Sequence, residues 1–199
     1  LSKYNSILSI FNNLPALIAE FSEESASCEK AAWLLDKMTS FAYIGTLCFY
    51  KDVLAKLNLL SIQFQHDSFD FEAALKLVES TQSGLEMLYI TPDIPKGGTL
   101  KKLMRSVVTT PTDEDSDEAE FTYPRPSGSN VTVAVSEAEY TTTCEMIKLF
   151  ASTFVSELSD RFPKMDLLKA FCIFTPSKFP TDAALLADYG EEDLAILLN

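Results

Sequence analysis

Histidine is nearly absent from this chain, which has one, His66, among 199 residues. The four cysteines, Cys28, Cys48, Cys144 and Cys172, are widely spaced and form no C-x-x-C pair. Because a zinc site needs several His or Cys ligands at short spacings, we expect no metal, and no cofactor-binding motif is present either. We interpret the cysteines as reduced, mostly buried thiols, which is the pattern of an intracellular protein.

Basic residues and long apolar runs are also scarce. Lys and Arg number 16 against 29 Asp and Glu, and the net charge is −13. An extended phosphate-binding surface needs clustered cations, so this balance argues against one. No stretch of about 18 consecutive apolar residues occurs, and we expect no membrane span. The chain begins without Met and without a signal-peptide layout, so we expect it to be part of a longer protein.

Catalytic motifs are missing as well. There is no G-x-x-x-x-G-K-[ST] sequence, and Gly97-Gly98 follows no strand pattern, so a phosphate cradle is poorly supported. His66 lies beside Asp67, but no G-x-S-x-G elbow accompanies the pair. Most carboxylates fall in a polar run or on solvent-facing positions, where the fixed geometry of acid–base or metal catalysis is lacking. We expect no enzyme active site in this chain.

The most informative segment that is present runs from Ser40 to Gln65, with no proline and one glycine. Apolar residues recur there at three- and four-residue steps, which predicts a helix. Further apolar residues lie on the opposite side, so we expect the helix to be buried among others. It would be about 40 Å long. The apolar residues of the first face are Tyr43, Leu47, Tyr50, Val53, Leu54, Leu57, Leu60 and Phe64.

Helices are predicted on both sides of this central helix, giving an all-α, multi-helix domain. Residues 1–22 predict two short helices, the second capped by Asn13 with Pro15 in its first turn. The helix before the central one is expected to bury Trp33. A second long helix, from residue 137 to about 161, is expected to lie along the central helix. The predicted organisation is a helical part at 1–108, an acidic disordered loop at 109–130, and a helical continuation at 131–199 that packs on the first part.

One short segment is basic. Lys96, Lys101, Lys102 and Arg105 form the only positive cluster in the sequence, on a predicted short helix. Two interpretations are open, a solvated helix face or a contact with phosphate. These four residues are therefore the candidates for contact with DNA.

The segment from Thr112 to Glu120 is acidic, with six carboxylates and no base. Such a run cannot form a packed core, and it predicts a mobile loop. Thr112 and Ser116, each followed by acids, are candidate sites for an acid-directed kinase. The next apolar residues, 131–135, predict either a short strand or the entry to a helix that is capped by Ser136 and runs from residue 137.

The central region also has a spacing that goes beyond periodicity. Leu60-Ser61 and Gln65 end the central helix, an acidic turn follows at 67–70, and Ala74 to Leu85 has the form A-x-x-x-V-x-x-T-x-x-x-L. This arrangement resembles the helical region of hAT-superfamily transposase-like proteins, and more closely their domesticated, zinc-finger-bearing relatives. Residues 1–21, 161–180 and 189–199 resemble other parts of that region. The family's Arg-Trp motif is absent, and the similarity is weak over 95–135.

The resemblance implies an interrupted ribonuclease-H-like fold, with an all-α insertion between its second and third catalytic carboxylates. This chain would be largely that insertion, with the catalytic residues outside it. No position here matches a catalytic residue of the family; Glu191, Glu192 and Asp193 lie near the expected place, but their context differs from its glutamate motif. A nuclear location is likewise implied by the resemblance.

Three functions are compatible with these patterns. The first is the non-catalytic helical region of a transposase-derived nuclear protein, which supports DNA or protein assembly. The second is a stand-alone helical protein-interaction module, and the third is part of an active DDE-type DNA transposase. In the first two, we expect protein partners or self-association; DNA would be contacted through flanking regions, and no membrane is involved.

Overall fold

The computed structural model describes residues 2–65, 71–109, 118–124, 130–162 and 165–198. Most of these residues are helical, in agreement with the predicted helical class, and a small antiparallel sheet is also present. No helix in these ranges is long and apolar enough to cross a membrane. The elements are α1 (Ser2–Glu24), α2 (Glu29–Thr39), α3 (Phe41–Phe64), α4 (Phe71–Leu85), a π-helical turn (Glu86–Ile90), α5 (Gly98–Ser106), β1 (Val108–Thr109), β2 (Glu118–Pro124), β3 (Asn130–Ser136), α6 (Glu137–Arg161), α7 (Met165–Ala170), 3₁₀ turns (Phe171–Phe174 and Pro176–Lys178), α8 (Ala183–Leu186) and α9 (Glu191–Leu197).

Helix α3 is the centre of the fold, as its periodicity predicts. It packs against α1, α2, α4, α5 and α6, and Phe41, Phe49 and Val53 on it are fully buried. The ring of Phe49 stacks on that of Phe150 with centroids 6.4 Å apart, which places α6 along α3 as expected. The helix is not buried all round, because Leu59 is 59% exposed. The neighbouring helices therefore leave some of the apolar side chains of α3 in contact with solvent.

The N-terminal region is one helix, and the prediction of two short helices is wrong. Helix α1 continues through Pro15, and the Asn13 side chain donates a hydrogen bond to the carbonyl of Ser9 (2.8 Å) instead of capping a new helix. Proline removes one backbone hydrogen bond. Leu14 and Ile18 on either side of it are buried in the core, and this packing holds the helix together.

Three side chains organise the starts of the two long helices. The Ser40 hydroxyl accepts a hydrogen bond from the backbone N–H of Tyr43 at the start of α3, and the Ser136 hydroxyl accepts one from Glu139 at the start of α6. The Glu139 carboxylate in turn accepts from the N–H of Ala42 (3.3 Å). Side-chain oxygens satisfy free N–H groups at helix starts in this way. The predicted Ser136 cap is confirmed.

The sheet has the order β1-β2-β3, and both pairs are antiparallel. Phe121 of β2 lies opposite Val133 of β3. The strand alternative for residues 131–135 is therefore correct, and the loop predicted for 109–130 contains a strand at 118–124. Aromatic and β-branched residues favour strands, and here they prevail over the neighbouring acids. Residues 110–117 and 125–129 of the predicted loop lie outside the described residues.

The C-terminal region folds around the turn that precedes α9. The Tyr189 hydroxyl donates a hydrogen bond to the carbonyl of Ile173 (3.2 Å), and the Phe179 ring contacts the Tyr189 ring edge-on, with centroids 5.8 Å apart. Gly190 has φ = +80°, a left-handed conformation that favours glycine, and it lies against Ile173. These contacts fix α9 on the 3₁₀ turn at Phe171–Phe174.

Candidate functional site

The described residues do not bring together a cluster of metal-binding side chains. No cluster of three or more His, Cys, Asp or Glu side chains in these ranges has the geometry to hold a metal ion. Burial, with a smaller effect from the nearby Asp52 carboxylate, raises the pKa of the Cys48 thiol to about 12, so it is protonated and unreactive at neutral pH. His66 and Asp67 lie outside the described residues. Glu191 lies in the first turn of α9 and is exposed, a place where a carboxylate stabilises the helix dipole.

The amino-terminal end of α5 is closed by a carboxylate from α3. Asp52 accepts a hydrogen bond from the backbone N–H of Leu100 (3.1 Å) and one from the Tyr89 hydroxyl (3.5 Å). A side chain at Gly97 would clash with the Tyr89 ring, and one at Gly98, where φ is +40°, would lie 2.6 Å from the Asp52 carboxylate. Gly97 thus permits the close approach of the Tyr89 ring, and Gly98 that of the Asp52 carboxylate. Because this carboxylate occupies the anion-binding end of the helix, the structure offers no phosphate cradle there.

The four predicted DNA-contact residues lie on or near α5 and are exposed. Lys101, Lys102 and Arg105 share the side of the helix opposite to the buried Leu100 and Leu103. In the described part of the chain, none of the cluster pairs with a carboxylate. We call Lys96, Lys101, Lys102 and Arg105 the basic face.

The largest concentration of exposed apolar side chains lies in the C-terminal region. Among the described residues, fifteen large apolar side chains are exposed, and seven of them fall between residues 174 and 198. Leu185 is 64% exposed, and every residue from 181 to 188 is exposed. The seven residues, which we call the C-terminal surface, are Phe174, Phe179, Leu185, Leu186, Leu194, Ile196 and Leu198.

The C-terminal surface is ordered although it is exposed. The Asp182 carboxylate accepts a hydrogen bond from the N–H of Ala184 (3.0 Å) and so caps α8. Two ion pairs join the region to α4, Lys169 with Glu79 (3.2 Å) and Lys178 with Glu72 (2.9 Å). Lys76 and Lys178 hold the pKa of the Glu72 carboxyl below its usual value. Lys178 is thus already paired, and no Lys or Arg follows it in the sequence.

A groove lies between the carboxyl-terminal ends of α3 and α6 and encloses about 510 Å³. Its walls are mostly apolar, and the rings of Phe64 and Phe162 stack there with centroids 5.3 Å apart. Glu157 and Arg161 both line it. The volume is in the range of small-molecule sites. These two charged groups have opposite signs.

The basic face is recognisable in the sequence, whereas the C-terminal surface and the role of Asp52 are not. The apolar spacing of residues 183–198 predicts helices, but it does not distinguish a covered face from an exposed one. Trp33 is a second example, because the sequence predicts it in the core and the structure leaves it 58% exposed. The candidate phosphorylation sites Thr112 and Ser116 lie outside the described residues.

No protein-family model, curated protein or solved structure matches this chain. The resemblance to hAT-superfamily transposase-like proteins therefore stays a prediction.

Proposed function

We propose that this chain is a non-catalytic helical scaffold that binds another protein through the C-terminal surface, within a transposase-derived nuclear protein. The observation that carries the protein-binding part is the exposure of seven large apolar side chains within 25 residues, from 174 to 198. Single exposed apolar residues are ordinary on a protein surface, whereas a concentration of them is typical of an interaction site. The nuclear and transposase-derived setting is supported by the sequence resemblance alone.

Covering the C-terminal surface with a partner is favourable in free energy. Helices α8 and α9 have four and seven residues, too short to be stable alone, and they are held by their neighbours. Covering apolar surface contributes about 25 cal/mol per Å² to binding before the costs of association. Leu185 and Leu194 offer such area in a segment that is already ordered. A partner therefore gains hydrophobic contact without first having to order this part of the chain.

The non-catalytic part of the proposal is supported by the state of the groups that could take part in catalysis. The buried Cys48 thiol is protonated at neutral pH because burial raises its pKa. The amino-terminal end of α5 is filled by Asp52, and Glu191 and Glu192 of α9 lie exposed in the first turn of that helix. Each group has a structural or electrostatic role in the fold.

The protein-binding function is tested by surface substitution. We expect Leu185→Ser with Leu194→Ser to leave the circular dichroism spectrum unchanged, because both side chains are exposed. The matched control replaces two exposed apolar residues elsewhere, Trp33→Ser with Leu149→Ser. Proteins captured from nuclear extract by the wild type are identified by mass spectrometry and purified. Each is then titrated calorimetrically against the wild type, the C-terminal variant and the control variant. A partner that binds the C-terminal variant as tightly as the control refutes the proposed surface.

A second function, contact with nucleic-acid phosphate, is favoured by one observation. The basic face is exposed and, within the described structure, unpaired, although the chain as a whole is strongly acidic. Fluorescence anisotropy with duplex DNA at two salt concentrations tests it. Binding that weakens steeply with salt, and that is lost in Lys101→Glu with Lys102→Glu but kept in Lys30→Glu with Lys37→Glu, supports phosphate contact. Equal binding by both charge-reversed variants contradicts it.

A further inference from the structure

We propose that the partner of the C-terminal surface is a basic amphipathic segment, with apolar side chains on one face and Lys or Arg beside them. This inference rests on the proposed function and adds the chemistry of the partner. Five acidic residues accompany the exposed apolar side chains, and no base occurs after Lys178. The five are Asp182, Asp188, Glu191, Glu192 and Asp193.

The local charge is not balanced within the protein. Among the described residues, none of these five carboxylates forms an ion pair, and the nearest cation in sequence, Lys178, contacts Glu72 on α4. Asp182 uses an oxygen to cap α8, and this hydrogen bond leaves its charge in place. A basic partner gains attraction from this field, and charge complementarity of this kind raises association rates and fixes the partner's identity.

The same charges disfavour the other occupants. An acidic segment or an anionic lipid surface would place like charges together, which costs free energy. A second copy of the C-terminal surface carries the same five acids and is repelled. The basic face of a second copy matches in charge, but Leu100 and Leu103 of α5 are buried beneath it and leave it little apolar area. It would not cover Leu185 or Leu194.

The test uses three synthetic peptides and four proteins. The basic amphipathic peptide has leucines at three- and four-residue steps and lysines on its other face. The acidic peptide has glutamate in place of each lysine. The scrambled basic peptide has the composition of the first peptide but no apolar face. The proteins are the wild type, Leu185→Ser with Leu194→Ser, Glu191→Gln with Glu192→Gln, and a charge control. The control, Glu23→Gln with Glu24→Gln, removes two exposed carboxylates at the end of α1.

We expect the basic amphipathic peptide to bind the wild type in fluorescence anisotropy, and more weakly as salt is added. The leucine variant should bind it about 30-fold more weakly, because two partly exposed side chains lose their apolar contact. The glutamate variant should bind it about fivefold more weakly, and the charge control as tightly as the wild type. This set of results supports the inference.

Three outcomes overturn it, and they separate the inference from the proposed function. Equal binding of the acidic and basic amphipathic peptides, lost in the leucine variant, means that the surface binds proteins without selecting charge. Equal binding of the scrambled and amphipathic basic peptides means that charge alone is recognised. Absence of peptide binding is followed by sedimentation equilibrium. A dimer that the leucine variant abolishes leaves a protein-binding surface with another occupant. A monomer overturns the inference about the partner's chemistry, and the titration of partners from nuclear extract then decides the proposed function.

Discussion

Removing the Asp52 carboxylate should weaken the attachment of α5 to the central helix. Asp52 lies on α3 and accepts a hydrogen bond from the N–H of Leu100, the third residue of α5, at 3.1 Å. It therefore acts as a helix cap supplied by a different helix. Asp52→Ala removes this cap, the negative charge at the helix end, and the acceptor of the Tyr89 hydroxyl.

The size of the effect follows from these three contributions. A lost helix cap costs about 1 kcal/mol, and loss of a carboxylate at the positive end of a helix dipole costs about 0.3–1 kcal/mol. The contact with Tyr89, at 3.5 Å, is long and adds little. We expect Asp52→Ala to lower the free energy of unfolding by about 1.3–2 kcal/mol. Asp52→Asn keeps an acceptor oxygen and should cost about half as much.

Urea denaturation followed by circular dichroism measures this change, and amide exchange at Leu100 reports whether the loss is local. Asp93→Ala is the matched control, because Asp93 is exposed in the segment before α5 and makes no ion pair within the described residues. If Asp52→Ala and Asp93→Ala agree within about 0.5 kcal/mol, the carboxylate does not stabilise α5 and the capping argument is wrong.

Three further predictions concern close packing, pH and thiol reactivity. Gly97→Ala should lower the free energy of unfolding by about 3 kcal/mol in urea denaturation, because its methyl group would displace the buried Tyr89 ring. The control, Gly84→Ala, should be neutral or stabilising. Equal effects of the two substitutions contradict this prediction. Burial raises the pKa of the Cys48 thiol from 9.0 to about 12. Below pH 9 the thiol is protonated in both the folded and the unfolded state. Between pH 9 and 12 only the unfolded state loses the proton, so the free energy of unfolding falls by up to about 1.4 kcal/mol per pH unit. Cys48→Ala should flatten the alkaline fall in stability, and an unchanged slope would exclude the thiol as its cause. Exposed Cys28 should be alkylated before Cys48, as mass spectrometry of the native protein at pH 8 would show.

The features that sequence predicts well here are those set by periodicity. The apolar repeat of α3 predicts a helix at the centre of a helical domain, and the repeat of α6 predicts its partner. Both follow from a face that must be buried. Ser136 was identified as a cap because its type and position fit one. In these cases the residue types and their spacing within one segment are enough to predict the structure.

Other features depend on packing between distant residues. Asn13 and Pro15 are typical of a helix start, but burial of Leu14 and Ile18 keeps α1 continuous. Asp52 and Leu100 are 48 residues apart, so no local pattern links them. Within the candidate site, the basic face was visible as a cluster of one charge. The exposure of the C-terminal surface was not, because an apolar stripe has the same spacing whether or not something covers it.

The way the C-terminal region is attached has a consequence for proteolysis. Its main contacts with the rest of the molecule go to α4, and its two ion pairs with that helix are accessible to solvent and contribute little to stability. Residues 165–198 can therefore open as a separate unit while α3 and its neighbours stay folded. A protease should cut first between 181 and 188, where every residue is exposed. A bound partner would slow this cleavage in proportion to its occupancy, so the rate of cutting measures how often the surface is covered.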